Sequence, residues 1–175
     1  MTIDLGPVRS IDAESFGEPG QRTFRLRIIG SASRSASVWL EKEQIGALAM
    51  ALQQALSQLH HEDEPPAVAG PKFPSAADHD FRASHMGIGF DQADRSIVLQ
   101  MHELGLEEGD QPTLRVRATL DQCASLLRQL EEIIASGRPL CPLCRVPMDP
   151  SGHVCVRSNG HSQEPVPEED SGEES

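Results

Sequence analysis

The C-terminal part of the sequence concentrates residue types that bind metal ions. Three cysteines and two histidines fall within 21 residues, in the order Cys141, Cys144, His153, Cys155 and His161. The two-residue spacing of the first two cysteines lets a tight turn aim both thiolates at one ion. Because zinc is the usual partner of mixed thiolate and imidazole ligands, the segment predicts a zinc site, with iron as the alternative metal. A cysteine-rich tail that binds no metal is the competing interpretation.

The choice of the fourth ligand depends on two expected turns. Residues 148–152 have the composition of a turn, so the returning chain brings Cys155 beside the first cysteine pair and leaves His153 nearer the tip. A second turn at Asn159-Gly160 brings His161 inward. Four protein ligands leave no open coordination position, so a structural site is expected. The expected ligands are Cys141, Cys144, Cys155 and His161, with His153 as the alternative fourth ligand.

Four arginines on two predicted strands form a second candidate site. Arg25 and Arg27 share one face of a strand, and Arg115 and Arg117 share one face of another. The planar guanidinium group suits phosphate and carboxylate, so this face is a candidate site for a small anionic ligand or an acidic partner. Solvated strand positions that pair with nearby acids are the alternative interpretation.

Hydrophobic periodicity predicts the elements that position these residues. Two stretches with leucine-rich stripes at helical spacing each follow a strand pattern, and Thr119 and Gln122 form a capping box at the start of the second stretch. A strand-strand-helix unit therefore occurs twice. The fold class is α+β, an antiparallel sheet with two helices on one face and a small C-terminal zinc hairpin. Strands are predicted at 23–29, 36–40, 81–90, 95–102 and 113–118, and helices at about 41–60 and 119–136.

Composition divides the chain into four regions. Residues 1–22 are interrupted by glycine and proline and predict an N-terminal extension, and 23–137 form the α+β domain, with a proline-rich linker at 62–80. Residues 138–161 form the zinc hairpin. The last 14 residues, 162–175, hold six acids and no base, and such a tail is expected to be disordered.

The charge and the apolar patterning exclude several classes of protein. The formal net charge is −12, which disfavours a protein that coats nucleic acid or an anionic membrane. No apolar run approaches the roughly 18 residues of a membrane helix, and the N-terminus lacks a signal-peptide core. We therefore expect a cytoplasmic protein without membrane contact, in which clustered cysteines bind metal and do not form disulfides.

No catalytic motif accompanies the polar residues of the sequence. The acids and histidines at 78–80, 85 and 102–103 occur without a nucleophile pattern such as Gly-x-Ser-x-Gly. The leading interpretation is a non-enzymatic, zinc-containing binding or adaptor protein whose protein partner is unknown. The alternative is an enzyme or a ligand-dependent regulator that acts on a phosphorylated or carboxylated metabolite at the arginine-bearing face.

Several motifs spread over the chain carry a family resemblance. With Phe16 to Phe24, Leu40 to Gln44, and the closing Cys-Pro-Leu-Cys, Gly-His-Val-Cys and Arg-Ser-Asn-Gly-His segments, the chain resembles an uncharacterised actinobacterial family known only as a domain of unknown function. The resemblance implies a bacterial, cytoplasmic protein and supplies no activity. The chain departs from the family pattern at Arg145, where the pattern has glycine, and at Val156, where it has proline. Neither change removes a ligand.

Overall fold

The structure is a computed structural model that describes residues 1–59, 70–106, 111–138, 140–146, 148 and 153–157. Two compact units are present, Met1–Gly137 and Arg138–Ser175. The described helices are α1 (Lys42–Gln58) and α2 (Leu120–Ser136), and a short 3-10 turn spans Ser31–Ser33. The described strands are β1 (Ile3–Pro7), β2 (Ser10–Phe16), β3 (Thr23–Ile29), β4 (Ser35–Leu40), β5 (His79–Asp91), β6 (Ser96–Glu103) and β7 (Leu114–Thr119).

The strands of the first unit form one mixed sheet in the order β1-β7-β6-β5-β4-β3-β2. The predicted α+β class is confirmed, but the expectation of a purely antiparallel sheet is wrong. The pairs β4 with β5 and β1 with β7 are parallel, whereas the other neighbouring strands are antiparallel. The first parallel pair arises because α1 carries the chain back across the sheet between β4 and β5.

The first two strands act as one bent strand that joins the two ends of the sheet. The N–H of Val8 donates to the carbonyl of Arg117 in β7 at 2.7 Å, and the N–H of the next residue, Arg9, donates to the carbonyl of Ile29 in β3 at 2.8 Å. In the sheet order β7 and β3 are the strands next to the two ends, so consecutive residues bond to both sides of the sheet, and the sheet closes on itself. Residues 1–22, expected as an extension, instead supply β1 and β2.

One core joins the sheet to the helices. Alternate residues of β3 and β7, including Leu26 and Val116, are buried together with the apolar stripes of both helices. Their outward neighbours, including Arg25 and Arg117, are polar. The buried helix residues are Ile45, Leu48, Ala49, Leu52 and Leu56 in α1 and Leu120, Cys123, Leu126 and Leu130 in α2.

Both helices begin at a capping box. In α2 the Thr119 hydroxyl accepts from the N–H of Gln122, and the Gln122 side chain accepts from the N–H of Thr119. Glu41 and Gln44 make the equivalent pair in α1. Each helix follows three antiparallel strands, so the repeated unit has one strand more than the predicted strand-strand-helix unit.

Two of the regions expected from composition fall partly or wholly outside the described residues. Residues 70–78 of the expected linker have neither helix nor strand, whereas 60–69 lie outside the described part of the chain, as does the expected tail at 162–175. No helix in the described ranges is long and apolar enough to span a membrane.

We predict opposite effects on stability for alanine at two glycines. A Cβ at Gly30 would lie 2.6 Å from the Cβ of Leu5 and would push β1 away from the end of β3. Gly30→Ala should therefore lower the free energy of unfolding by about 1–3 kcal/mol. Gly46 lies inside α1, and a methyl group added there would meet no described atom within 4 Å beyond the adjacent residues and the helix's own backbone, so Gly46→Ala should raise the free energy of unfolding by about 0.5–1 kcal/mol.

Urea unfolding followed by circular dichroism measures both variants. Gly46→Ala is the matched control, because it adds the same methyl group to the same unit. A Gly30→Ala variant as stable as the wild type would contradict the close packing of β1 against β3.

Candidate metal centre

Three cysteines and one histidine of the second unit converge on a single point. The ligand atoms of Cys141, Cys144, His153 and Cys155 all lie within 4.8 Å of one another. The Sγ atoms of Cys141 and Cys155 are 3.7 Å apart, and the Sγ of Cys144 is 3.0 Å from Nε2 of His153. These four residues could therefore hold one metal ion.

A tight turn positions the first two cysteines. The N–H of Arg145 donates to the carbonyl of Cys141 at 2.8 Å, and the N–H of Cys141 donates to the carbonyl of Val146 at 2.9 Å. Arg145 has a φ of 58°, in the left-handed region that favours glycine. This φ explains why glycine is expected at the position from the family pattern. Arginine adopts the same φ at a backbone cost of about 1–2 kcal/mol.

Backbone donors around the turn favour a thiolate at Cys141. The N–H groups of Cys144 and Leu143 are directed at its sulfur and lower the pKa of Cys141 to about 6. At Cys144 the N–H of Val146 lowers the pKa, but burial and the neighbouring thiols outweigh it, and the net pKa is raised. One thiol of the cluster is thus ionised at neutral pH, which is the protonation state that a metal requires.

The spacing of the cluster fits a tetrahedral ion. Zinc–sulfur bonds of about 2.3 Å in tetrahedral geometry place two sulfurs about 3.8 Å apart. The 3.7 Å between the sulfurs of Cys141 and Cys155 agrees with this value. The 3.0 Å between Cys144 and His153 is shorter, so those two side chains would separate by about half an ångström around an ion.

The structure places the alternative histidine, His153, beside the three cysteines. His161, the expected fourth ligand, lies outside the described residues. From the sequence, His153 was expected near the tip of the hairpin and too far from the metal, because only backbone positions along the hairpin were compared. Residues two apart in an extended segment direct their side chains to the same side, so His153 shares the direction of Cys155. Its imidazole is also longer than a thiol and reaches back to the sulfur of Cys144.

The arginines of β3 are neutralised by acids of β2. Arg25 donates to Glu14 at 2.6 Å, and Arg27 pairs with Glu14 at 2.8 Å while also donating through two nitrogens to Asp12. The hydrogen bond to Asp12 is the largest of the effects that raise the pKa of Arg27. Arg25 is also flanked by the rings of Phe16 and Trp39, at 5.0 and 5.1 Å. The sequence signal for this arrangement is the alternation of acids in β2.

The two arginines of β7 differ from each other. Arg117 pairs with Asp94 at 3.3 Å. Arg115 lies opposite Gln100 in β6 and forms no ion pair with another residue that the structure describes. The arginine-bearing face therefore presents charges that are mostly compensated by local acids.

The histidines and acids outside the metal cluster have structural surroundings. The rings of His85 and His102 stack with centroids 4.0 Å apart, and burial together with the neighbouring His85 lowers the pKa of His102. Asp78 accepts from the N–H and the hydroxyl of Ser35, contacts that lower its pKa. Among the described residues, these groups do not form a nucleophile and base with a third orienting group.

Comparison with known families gives a match over most of the chain. A family model described as "Protein of unknown function (DUF3090)" matches residues 4–155. The matched range contains the four clustered residues and stops before His161. No curated protein and no solved structure matches the chain.

We predict that thiol reactivity divides the four cysteines into two groups. Cys123 lies in the core of the first unit, where burial raises its pKa to about 12, so it stays protonated and unreactive. At about pH 7.5, chelator-treated protein should take up three carbamidomethyl groups from iodoacetamide, and the fourth only after denaturation. Mass spectrometry of the intact protein and its peptides measures this uptake.

Added zinc should protect Cys141, Cys144 and Cys155 and leave the slow labelling of Cys123 unchanged. Labelling of Cys123 at the same rate as the other three would contradict its placement in the core.

Proposed function

The chain belongs to the DUF3090 family, whose function is not established, and we propose that it is a non-enzymatic binding protein with a structural zinc centre. The observation that carries the zinc proposal is the convergence of three sulfurs and one imidazole nitrogen within 4.8 Å. Cysteine and histidine are the ligands of structural zinc, and iron is the competing metal.

A closed ligand set would make this centre structural. Cys141, Cys144, His153 and Cys155 supply four protein ligands, which is the full coordination number of tetrahedral zinc. Zinc catalysis needs one position for water or substrate, and four protein ligands provide none. Bound zinc would tie the first cysteine pair to a histidine and a cysteine farther along the chain, a role suited to a unit with little regular structure in its described residues.

Metal analysis with two histidine variants tests the zinc proposal. Purified protein should contain one zinc ion per chain by plasma mass spectrometry. Loss of a residue that only hydrogen-bonds to a metal ligand weakens metal binding by roughly 10–100-fold. His153→Ala removes a ligand itself and should weaken zinc binding by more than that. His161→Ala, the matched control, should leave the affinity unchanged in a competition titration with a chromophoric chelator.

A zinc content far below one per chain would disprove the metal assignment. If His161→Ala weakens binding and His153→Ala does not, the fourth ligand is His161.

The apolar surface of the second unit supports a binding role. Val154 and Val156 flank the buried Cys155 and are 79% and 80% exposed, and Leu143 is 54% exposed. Leu140 and Val146 are exposed as well. Exposed apolar surface marks protein interaction sites, so we infer that these side chains contact a protein partner.

A double substitution tests the partner surface. Val154→Ser with Val156→Ser should weaken binding of a partner captured from cell extract by about 100-fold, since each buried valine contributes about 1.5 kcal/mol. Met50→Ser, which removes a 72% exposed apolar side chain from α1, is the matched control. Calorimetry with the purified partner measures both affinities, and unchanged zinc content shows that the centre is intact.

Equal loss in both variants, or no loss in either, would reject the second unit as the partner surface.

The alternative function, action on a phosphorylated or carboxylated metabolite at the arginine-bearing face, has less support. Arg25, Arg27 and Arg117 already pair with carboxylates, and an anionic metabolite would have to compete with them.

A further inference from the structure

A groove in the first unit is lined by polar and apolar residues from four separate parts of the chain. Its volume is about 770 Å³, which lies in the range of small-molecule sites, about 300–1,000 Å³. The start of β2 forms one wall and the polar side of α2 forms the opposite wall. The residues that line it include Arg9, Ser10, Ile11, Lys72, Ser125 and Gln129.

Two cations in this groove are available to a ligand. Arg9 and Lys72 form no ion pair with another residue in the described part of the chain, and the side-chain contact of Arg9 there is a hydrogen bond to the hydroxyl of Ser33, at 3.1 Å. These two cations are the groups that an anionic ligand would meet first.

The other charged residues of the groove already have partners. Arg27 lines the groove, but its donors are occupied by Asp12 and Glu14. Asp12 is held by the same contact, and Asp121, at the start of α2, interacts with another group of the protein. The charge that remains available along the groove is therefore positive.

The polar side of α2 bonds to the backbone at two points, one just before β2 and one within it. The side chain of Gln122 donates to the carbonyl of Val8 at 2.8 Å, and the side chain of Gln129 accepts from the N–H of Ala13 at 3.0 Å. Because backbone groups alternate in direction along an antiparallel strand, Ile11 also turns its N–H and carbonyl away from β3. These two groups face the groove between the glutamine contacts.

Neutral hydrogen-bonding groups complete the lining. Ser10, Ser125 and Gln129 line the groove and carry hydroxyl and amide groups. A groove that combines cations at one part with hydroxyl, amide and backbone groups along its length suits a ligand with a dianionic group and several hydroxyls.

We propose that this groove binds a phosphorylated sugar. The phosphate lies beside Arg9 and Lys72, where charge-assisted hydrogen bonds are strongest, and the sugar hydroxyls bond to Ser125, Gln129 and the backbone of Ile11. The proposal does not rest on the metal centre, which belongs to the other unit. It also differs from the arginine-bearing face, because Arg9 and Lys72 lie in the groove and form no ion pair with another described residue.

Titration followed by amide NMR shifts tests this proposal with the full-length protein. Ribose 5-phosphate should bind saturably and shift the amides of Ile11, Lys72 and Gln129. Inorganic phosphate should bind at least about tenfold more weakly, because it lacks the hydroxyl contacts, and ribose should not saturate at all. Lys72→Ala should weaken binding of ribose 5-phosphate about tenfold, the usual effect of losing one charge-assisted hydrogen bond.

The chain offers a matched control, because Lys42 is its only other lysine. Lys42→Ala should leave the affinity within about twofold of the wild type. Ser125→Glu, a second variant, should weaken binding by placing a negative charge in the groove.

Four results would overturn the proposal, and the first three concern ribose 5-phosphate itself. They are no saturable binding of ribose 5-phosphate at millimolar concentration, shifts confined to residues outside the groove, and equal weakening by Lys42→Ala and Lys72→Ala. Equal affinity for ribose and ribose 5-phosphate would show that the cations do not recognise phosphate and would overturn it as well.

Discussion

Two consecutive backbone N–H groups, those of Val8 and Arg9, bond to β7 and β3, the strands next to the two ends of the sheet order. Each bond alone is an ordinary one, with a net contribution of about 1 kcal/mol. Together they require the sheet to curve until its two ends share a single strand. The curvature lets one sheet face contact both helices, and the buried residues of strands and helices then form one core. The groove beside α2 exists because β2 ends this closure with one backbone edge uncovered.

The helices and five of the strands could be predicted from hydrophobic periodicity, because each has a continuous apolar stripe that packs in the core. The missed strands, β1 and β2, are interrupted by Gly6 and Pro7. Gly6 has a φ of 66° and marks the bend itself. The residues that make the bend therefore also interrupt the alternation of apolar and polar residues by which strands are predicted. The parallel pairs were missed for a different reason. Alternation shows which face of a strand is buried, but it carries no information on strand direction or order.

At the metal cluster, residue types and local spacing indicated the three cysteines, because a two-residue spacing fixes a tight turn. The fourth ligand depends on where each histidine side chain points and how far it reaches, and composition leaves both open. His153 and Cys155 are two residues apart, a spacing that directs both side chains to the same side of an extended chain. Both reach the point where the ligand atoms converge, so distance along the hairpin was the wrong criterion. The positive φ of Arg145 gives the turn a strain that glycine would remove.

The arginines show why a pattern of charges on strands does not by itself locate an anion site. Alternation placed Arg25 and Arg27 on the outer face, yet the acids that neutralise them come from β2, a strand the pattern did not reveal. Each guanidinium donates to carboxylates at hydrogen-bond distance, so an anion would have to displace a partner held at high effective concentration. Arg9 and Lys72 carry no such competitor among the described residues. Both cations lie outside the regular strands, Arg9 where the chain passes from β1 to β2 and Lys72 in the segment before β5.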